Sequence, residues 1–532
     1  MDLIHKLKRT YSTARYLKSG QILYRLYYSF WRINHIKKKR FKGDFLQNFS
    51  LVSIPASENI ISQSGDQYSV RLLNLEKTYL SGINWADEEY GRLWNYNLQY
   101  ADFLEQDELP VKVRESLMID LYSWLYTGKL KPEPYPASLR IMNVIRFIQK
   151  HTDHVTQSEK LLDGLYSELH FLSNRVEYHL SGNHLLENGF ALLMGGSFLD
   201  HQSFLEMGRK ILAEELNEQI LSDGAHYERS PMYHNIILFR VLEAISYLPE
   251  KNKLKMILVE YAEKMISWMN NMTFKNGQKA HFNDSVDGVA YTKKNLAQIA
   301  NKLDINTDIS VDLAESGYRR FNIDAIELIV DAEGIKPDHQ PGHAHADSLS
   351  FVLNLYNNPL IVDPAISTYE PNERRKWERS TKAHNTVTVS NQNSADVWSA
   401  FRVGRRPHVT ILNENESSIR AKAVYSIPSE KNLEHTRTFS VSESTVTILD
   451  NVSSGKTATG RLYLAPGIDI QKIEGDIVVL SNRVKIHINK SGNISSFDYQ
   501  YCEDFNQTSK AKAIKYDFSK KCSTEIISEL AK

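Results

Sequence analysis

The sequence predicts an α+β protein of several domains, with helices first and antiparallel strands afterwards. Two observations carry this. Apolar residues recur at helical spacing through the first half, and beyond about residue 330 they alternate with polar ones. Composition supports folded domains throughout. The 532 residues are 42% hydrophobic and 24% charged, which excludes a disordered or collagen-like chain, and two cysteines, Cys502 and Cys522, are too few for a disulfide framework. The expected partition is a basic arm (1–43), a helical domain (44–330) and a β-sandwich (331–532).

The arm hides inside a neutral total. The chain has 64 Lys+Arg and 64 Asp+Glu, a net charge of zero. Residues 1–43 hold twelve of the bases and one acid, Asp2, so the body is left with an excess of acids. Ile22, Leu23, Leu26, Tyr27 and Phe30 fall at roughly helical spacing and are followed by Lys37, Lys38, Lys39 and Arg40. Such a segment is either a basic amphipathic element that touches an anionic membrane or a solvated helix packed on the body. It lacks the apolar stretch and cleavage site of a secretory signal, and no run of 18 apolar residues occurs, so the expected location is cytoplasmic, at most membrane-peripheral.

Periodic apolar runs then predict helices at 111–128, 137–147, 161–180, 184–199, 204–221, 235–248 and 254–269. Their short connectors make a serial set of helical hairpins, compatible with a solenoid, an orthogonal bundle or a closed toroid. The period changes to two at Leu349, Phe351, Leu353 and Leu355, and short strand-like runs continue to residue 488. Roughly 200 residues of short strands suit a β-sandwich. A cleft between the two domains is a natural place for a substrate.

The densest chemical signal is Asp338-His339-Gln340-Pro341-Gly342-His343-Ala344-His345-Ala346-Asp347, which puts three of 18 histidines into a few residues just after the predicted boundary. If His343 and His345 lie on a strand, they share one face. Imidazole carries protons near neutrality and ligates metals, so this pair is either a proton carrier beside a metal or charge ligand, or two hydrogen-bonded structural histidines. Asp363 and His384 stand at predicted strand ends. With His345 they form a two-His-one-carboxylate set suited to zinc, although their spacing follows no local metal-loop rule, and spacing alone favours a turn Asp with a buried His. In the helical domain, Asn183 and His184 fall at a break between two runs, where Asn183 either caps a helix or faces a ligand. The segment 222–234 crowds Arg229 with two candidate acid/base phenols, Tyr227 and Tyr233; His281 and Asp284 lie in a further loop. No Gly-x-Ser-x-Gly elbow, phosphate-binding Walker loop, dinucleotide fingerprint or zincin helix is present, which disfavours serine hydrolases, NTPases and dehydrogenases.

Taken in order, these segments resemble the heparinase II/III-like polysaccharide lyases, with relatives among alginate lyases. The matching pieces are Trp94-Asn95-Tyr96-Asn97-Leu98, the segments around Asn183, Tyr233, His343, Asp363 and His384, and Val397-Trp398-Ser399-Ala400-Phe401-Arg402. The resemblance implies an incomplete toroid of paired helices followed by an antiparallel β-sandwich, with the site between them. It implies β-elimination on a uronic-acid polysaccharide, with Asn183 and His184 neutralising the carboxylate and Tyr233 and His343 as acid and base. For Tyr233 to serve as base its phenol needs nearby positive charge, which Arg229, Arg379 and the histidines could supply. It further implies structural zinc on His345, Asp363 and His384, and no organic cofactor. Arg229, Arg379, Trp398 and Arg402, with Arg405 and Arg406, are expected to touch sugar or carboxylate, or else to form surface ion pairs. No nucleic acid is expected as partner. A uronate C5-epimerase on the same fold, or a non-catalytic glycan-binding protein of exopolysaccharide assembly, are the competing readings.

Overall fold

The computed structural model describes residues 3–47, 49–54, 59–427, 430–453, 455–489 and 492–528. Two short helices come first, α1 (Leu3–Ala14) and α2 (Ser19–Phe30). Asp2, the single acid of the arm, lies outside the described residues. A small antiparallel sheet follows, Ile61–Ser64, Gln67–Leu72 and Leu75–Tyr79, which the helical reading of this region did not anticipate.

Nine helices build the next body: α3 (Arg92–Tyr100), α4 (Val111–Thr127), α5 (Pro134–Lys150), α6 (Ser158–Ser173), α7 (Gly182–Phe198), α8 (Gln202–Gln219), α9 (Pro231–Tyr247), α10 (Lys253–Asn271) and α11 (Lys293–Lys302). The seven predicted runs correspond to α4 through α10. They pack as neighbours, α5 against α7, α7 against α8, and α9 against α10. Apolar side chains from these helices join the sheet in one core that includes Trp85, Met118, Ile145, Leu193 and Leu242. Buried ion pairs cross between helices: Arg140 with Glu168, Arg146 with Glu243, and Arg240 with Glu187. Removing one partner of such a pair costs about 3–5 kcal/mol, because the other charge is left buried. No helix among the described residues is long and apolar enough to cross a membrane.

The β region begins earlier than expected, with a hairpin of Tyr318–Ile323 and Ile326–Asp331. The whole second strand is buried, so its sequence shows no alternation to mark it. This hairpin continues into Phe351–Leu355 and Asn358–Ile361 as a four-stranded sheet. A second four-stranded sheet runs in the order Ile494–Asp504, Gln507–Phe518, Ala458–Tyr463, Val387–Val389, and an Ile361–Leu464 bridge joins the two. An eight-stranded sheet, from His408–Asn415 at one edge to Ile470–Glu474 at the other, shares a single apolar core with them. Every strand pairing among the described residues is antiparallel. A helical ring followed by a β-sandwich is the predicted fold class. Short loops and α12 (Glu373–Glu378) fill the junction between the two bodies.

Candidate active site

The junction is organised by one buried carboxylate. Asp284 is fully buried and accepts from His343 Nδ1 at 2.8 Å, His345 Nε2 at 2.8 Å, and Arg375 Nη1 and Nη2 at 2.5 and 2.6 Å. Burial alone would raise its pKa; Arg375 and the two histidines outweigh this and hold it well below the usual carboxylate range. An ionised Asp284 can only accept, so it fixes the tautomers: His343 carries its proton on Nδ1 and His345 on Nε2. The free nitrogens then point elsewhere. His343 and His345 lie in a loop, not on a strand. Asp284 brings them together, where strand alternation was expected to do so.

Tyr233 stands beside His343, their ring centroids 4.0 Å apart. Its position follows from the start of α9: Ser230 Oγ accepts from the Tyr233 N–H, and Pro231 opens the helix. The Tyr233 hydroxyl pairs with that of Tyr369 at 2.9 Å. Burial, then Tyr369, Tyr135 and Asp284, push its phenol well above the ordinary value, so it holds its proton. Tyr227, the other phenol, is buried and packs on His339, away from this pair.

On the helical side α7 begins at Gly182, whose φ is +65°. A Cβ there would lie 2.5 Å from Glu228 Oε1, so only glycine fits. Glu228 Oε1 accepts the Asn183 N–H at 3.1 Å, so Asn183 sits inside the first turn and is not its cap. Glu228 Oε2 lies 3.6 Å from His343 Nε2 and has no hydrogen-bond partner. Burial raises its pKa. His184 stacks on Tyr135 at 4.3 Å and meets Glu177 at 3.2 Å, with 28% of its side chain exposed. Burial opposes its charge, but Glu177, with Glu228 and Glu187, outweighs burial and raises its pKa. Asn183, His184, Tyr233 and His343 are therefore gathered at one junction.

Beneath them are three buried atoms without partners: His345 Nδ1, His384 Nε2 and Asp347 Oδ2. Ligand atoms of these three residues lie within 4.8 Å of one another. Two imidazole nitrogens and a carboxylate oxygen form a donor set that fits zinc. Here the geometry differs from the expected set. Asp363 binds His384 Nδ1 at 2.7 Å and thereby turns Nε2 toward the group, while Asp347 supplies the carboxylate beside the histidines. Two residues from His345 in sequence, Asp347 was visible in the motif but masked by the strand-end position of Asp363.

The expected sugar contacts divide. Arg379 is buried, donates to the Ala344 carbonyl at 2.9 Å and braces the histidine loop from behind; burial, then Arg375, lowers its pKa to about 9. Arg229 turns toward the Glu315 carbonyl at 3.2 Å, and Glu333 lies 3.7 Å away. Arg379 ends on backbone carbonyls, whereas Arg229 keeps Nε and Nη1 without hydrogen-bond partners in a small pocket it shares with His345 and Asp347; neither makes a hydrogen bond or ion pair to Tyr233 that would charge-stabilise its phenolate. Trp398 and Arg402 face each other across a two-residue hairpin, with the guanidinium 5.0 Å from the indole. The Trp398 indole N–H is taken by Thr13 of α1 at 3.2 Å. The hairpin reaches the site through Phe401, whose ring lies 5.9 Å from His343. Arg406 donates to the Asp338 carbonyl and stacks on Tyr16; Arg405 pairs with Asp396 through its backbone carbonyl. Asp284, Arg375, Glu228, Tyr369, Glu177 and Asp347 complete the site without having been assigned to it from sequence. Asp284 was marked in its loop together with His281, and Asp347, Glu228 and Tyr369 stood inside marked segments; Arg375 and Glu177 gave no signal.

Two family models match in succession: Heparinase II/III N-terminus over residues 79–310, and Heparinase II/III-like, C-terminal, over 306–528. A heparin-sulfate lyase of Bacteroides stercoris is 26% identical over 446 residues, covering 74% of this chain and 63% of that protein. One from Pedobacter heparinus is 24% identical over 347 residues, covering 58% and 49%. The chain thus spans less than two thirds of the length of either relative. Among solved structures, a heparinase III superposes with a TM-score of 0.66 at 20% identity, covering 84% of this chain and 80% of that one. A chondroitinase AC lyase reaches 0.50 at 9% identity, covering 82% and 76%.

Proposed function

The chain belongs to the heparinase II/III-like family, and on that premise we propose that it is a polysaccharide lyase that cleaves a uronic-acid-containing polymer by β-elimination. The observation that carries this reading is the pairing of His343 and Tyr233, a base with a free nitrogen 4.0 Å, ring to ring, from a phenol that keeps its proton.

The chemistry follows from the partners of each group. The C5 proton of a uronate is weakly acidic, and its removal builds negative charge on the adjacent carboxylate. Asn183 at the start of α7 and the His184 imidazolium, favoured by Glu177, neutralise that charge. His343 takes the C5 proton on Nε2, while Asp284 on Nδ1 stabilises the imidazolium that results. The C5–H electrons form the C4–C5 double bond and the C4–O4 bond breaks. Tyr233 gives its proton to the departing O4. Its raised pKa supports the role of acid and not that of base, which removes the need for a neighbouring arginine.

Zinc, held by His345, His384 and Asp347, would supply a fixed positive charge that ties the histidine loop to its neighbours. Asp363 and Asp284 set the orientation of its imidazole ligands.

Heparin and heparan sulfate, named for the relatives, are the first polymers to try, followed by other uronic-acid polymers. The test is ultraviolet absorbance of the unsaturated product. Absorbance that Tyr233→Phe and His343→Ala both suppress is expected. Deuterium uptake at C5 without absorbance would replace the lyase by an epimerase. Binding with neither signal would leave a glycan-binding protein.

A further inference from the structure

Between Leu7 and Trp31 the chain carries a surface unlike that of the other described residues. Nine of the 17 large apolar side chains exposed among the described residues lie between Leu7 and Trp31. On α2, Leu23, Leu26, Tyr27 and Phe30 stand at i, i+3, i+4 and i+7, so they form one stripe along the helix. In a globular protein such a stripe faces the core. Here it faces outward, with Phe30 81% exposed and Trp31 continuing the row.

The opposite side of the helix pair is fastened down. Arg9 holds Asp396 through two hydrogen bonds, and Thr13 accepts from the Trp398 indole. Gln21 donates to the carbonyls of Leu180 and His339, and the Tyr28 hydroxyl donates to that of Val176. These contacts reach both bodies of the protein, next to the segments that bear His184 and His343. The outward stripe is therefore held in a fixed orientation beside the cleft. The arm is also outside the region matched by the family models, which begins at residue 79.

The charge on this element names its partner. Arg32, Lys37, Lys38, Lys39 and Arg40 are exposed in the segment that follows α2, and residues 1–43 carry twelve bases against one acid. A second copy would bring like charges together. We propose that α1, α2 and the basic segment after them dock the protein on an anionic lipid bilayer. The aliphatic and aromatic stripe enters the headgroup region, the basic residues meet the lipid phosphates, and the polysaccharide cleft is held at the membrane surface. This stands whether or not the proposed lyase activity does.

The experiment is co-sedimentation of the full chain with vesicles of phosphatidylcholine alone and of phosphatidylcholine mixed with phosphatidylglycerol. Binding to the mixed vesicles, weakened by salt, is expected. The double variant Leu23→Glu/Phe30→Glu removes exposed side chains only, so its unfolding midpoint should match the parent while affinity falls roughly tenfold or more per side chain. Replacing Lys37, Lys38 and Lys39 by Gln should weaken binding to mixed vesicles alone. No binding to mixed vesicles, equal binding by the parent and the double variant, or a dimer in sedimentation velocity that the double variant dissolves would each overturn the proposal.

Discussion

Two buried clusters in this molecule are made of the same residue types and differ in what they leave over. In the sandwich, Asp450 accepts from His435 Nε2 at 2.7 Å and from Arg437 Nε and Nη2 at 2.7 and 3.0 Å, and Arg437 Nη1 reaches the carbonyls of Leu349 and Asn385. At the junction, Asp284 serves two histidines and Arg375. Both carboxylates are held below their usual range against the effect of burial, by arginine and histidine. His435 also spends one ring nitrogen on Asp450, but it belongs to no group of potential metal ligands among the described residues. Around Asp284, by contrast, His345 Nδ1 is unpaired and His343 Nε2 has only Glu228 at 3.6 Å. An Asp–His–Arg cluster is therefore not a site by composition. It becomes one where the second nitrogen meets another acid, base or ligand atom.

The sharpest way to break this comparison is to cut each cluster and read activity and stability together. Tyr233→Phe and His343→Ala should lower kcat by about 10²–10⁴-fold. The phenol loses only its bond to Tyr369, so Tyr233→Phe should cost about 1 kcal/mol in urea denaturation. Asp450→Ala should do the reverse: about 3–5 kcal/mol of stability lost, with kcat per folded molecule unchanged. A folded but inactive Asp450→Ala enzyme would erase the distinction.

A finer test asks which carboxylate is a metal ligand. Elemental analysis should find zinc in the parent protein and none in His384→Ala or Asp347→Asn. Asp363→Asn should retain zinc with affinity lowered about 10–100-fold in a chelator competition, as expected of a residue that orients a ligand. Zinc lost from Asp363→Asn but kept by Asp347→Asn would restore the set read from sequence.

The smallest expected effect concerns pH. The His184 pKa is raised in the folded chain, because Glu177, with Glu228 and Glu187, outweighs burial. The stabilisation it brings is complete below the unfolded value of about 6.5 and is lost as pH rises through the raised folded value. If the imidazolium also binds the substrate carboxylate, KM should climb a few-fold over that window. Glu177→Gln should move the climb to lower pH, seen as a shifted pH profile of KM with little change in kcat.

Much of the molecule was legible in the residues. The helical runs matching α4–α10 and the later switch to strands follow from side-chain period, a local property that burial on one face enforces. Asn183, His184, Tyr233 and His343 were likewise reached from motifs and family likeness. The early hairpin at 318–331 was not, since a strand buried on both faces has no period to read. Nor was the sealed Arg379: an arginine in sequence gives no sign of whether its guanidinium ends on a backbone carbonyl or in a cleft. The choice of Asp347 beside His345 and His384, and of Asp284 as the group that fixes both histidine tautomers, depends on contacts between atoms 21 to 91 residues apart along the chain. The sequence by itself determined the helices α4–α10, the later switch to strands and the chemical types available at the junction. Which nitrogen is free, which carboxylate is paired and which apolar stripe faces out were decided only by tertiary packing, because hydrogen bonds are settled over about 3 Å in space and sequence spacing carries no such distance.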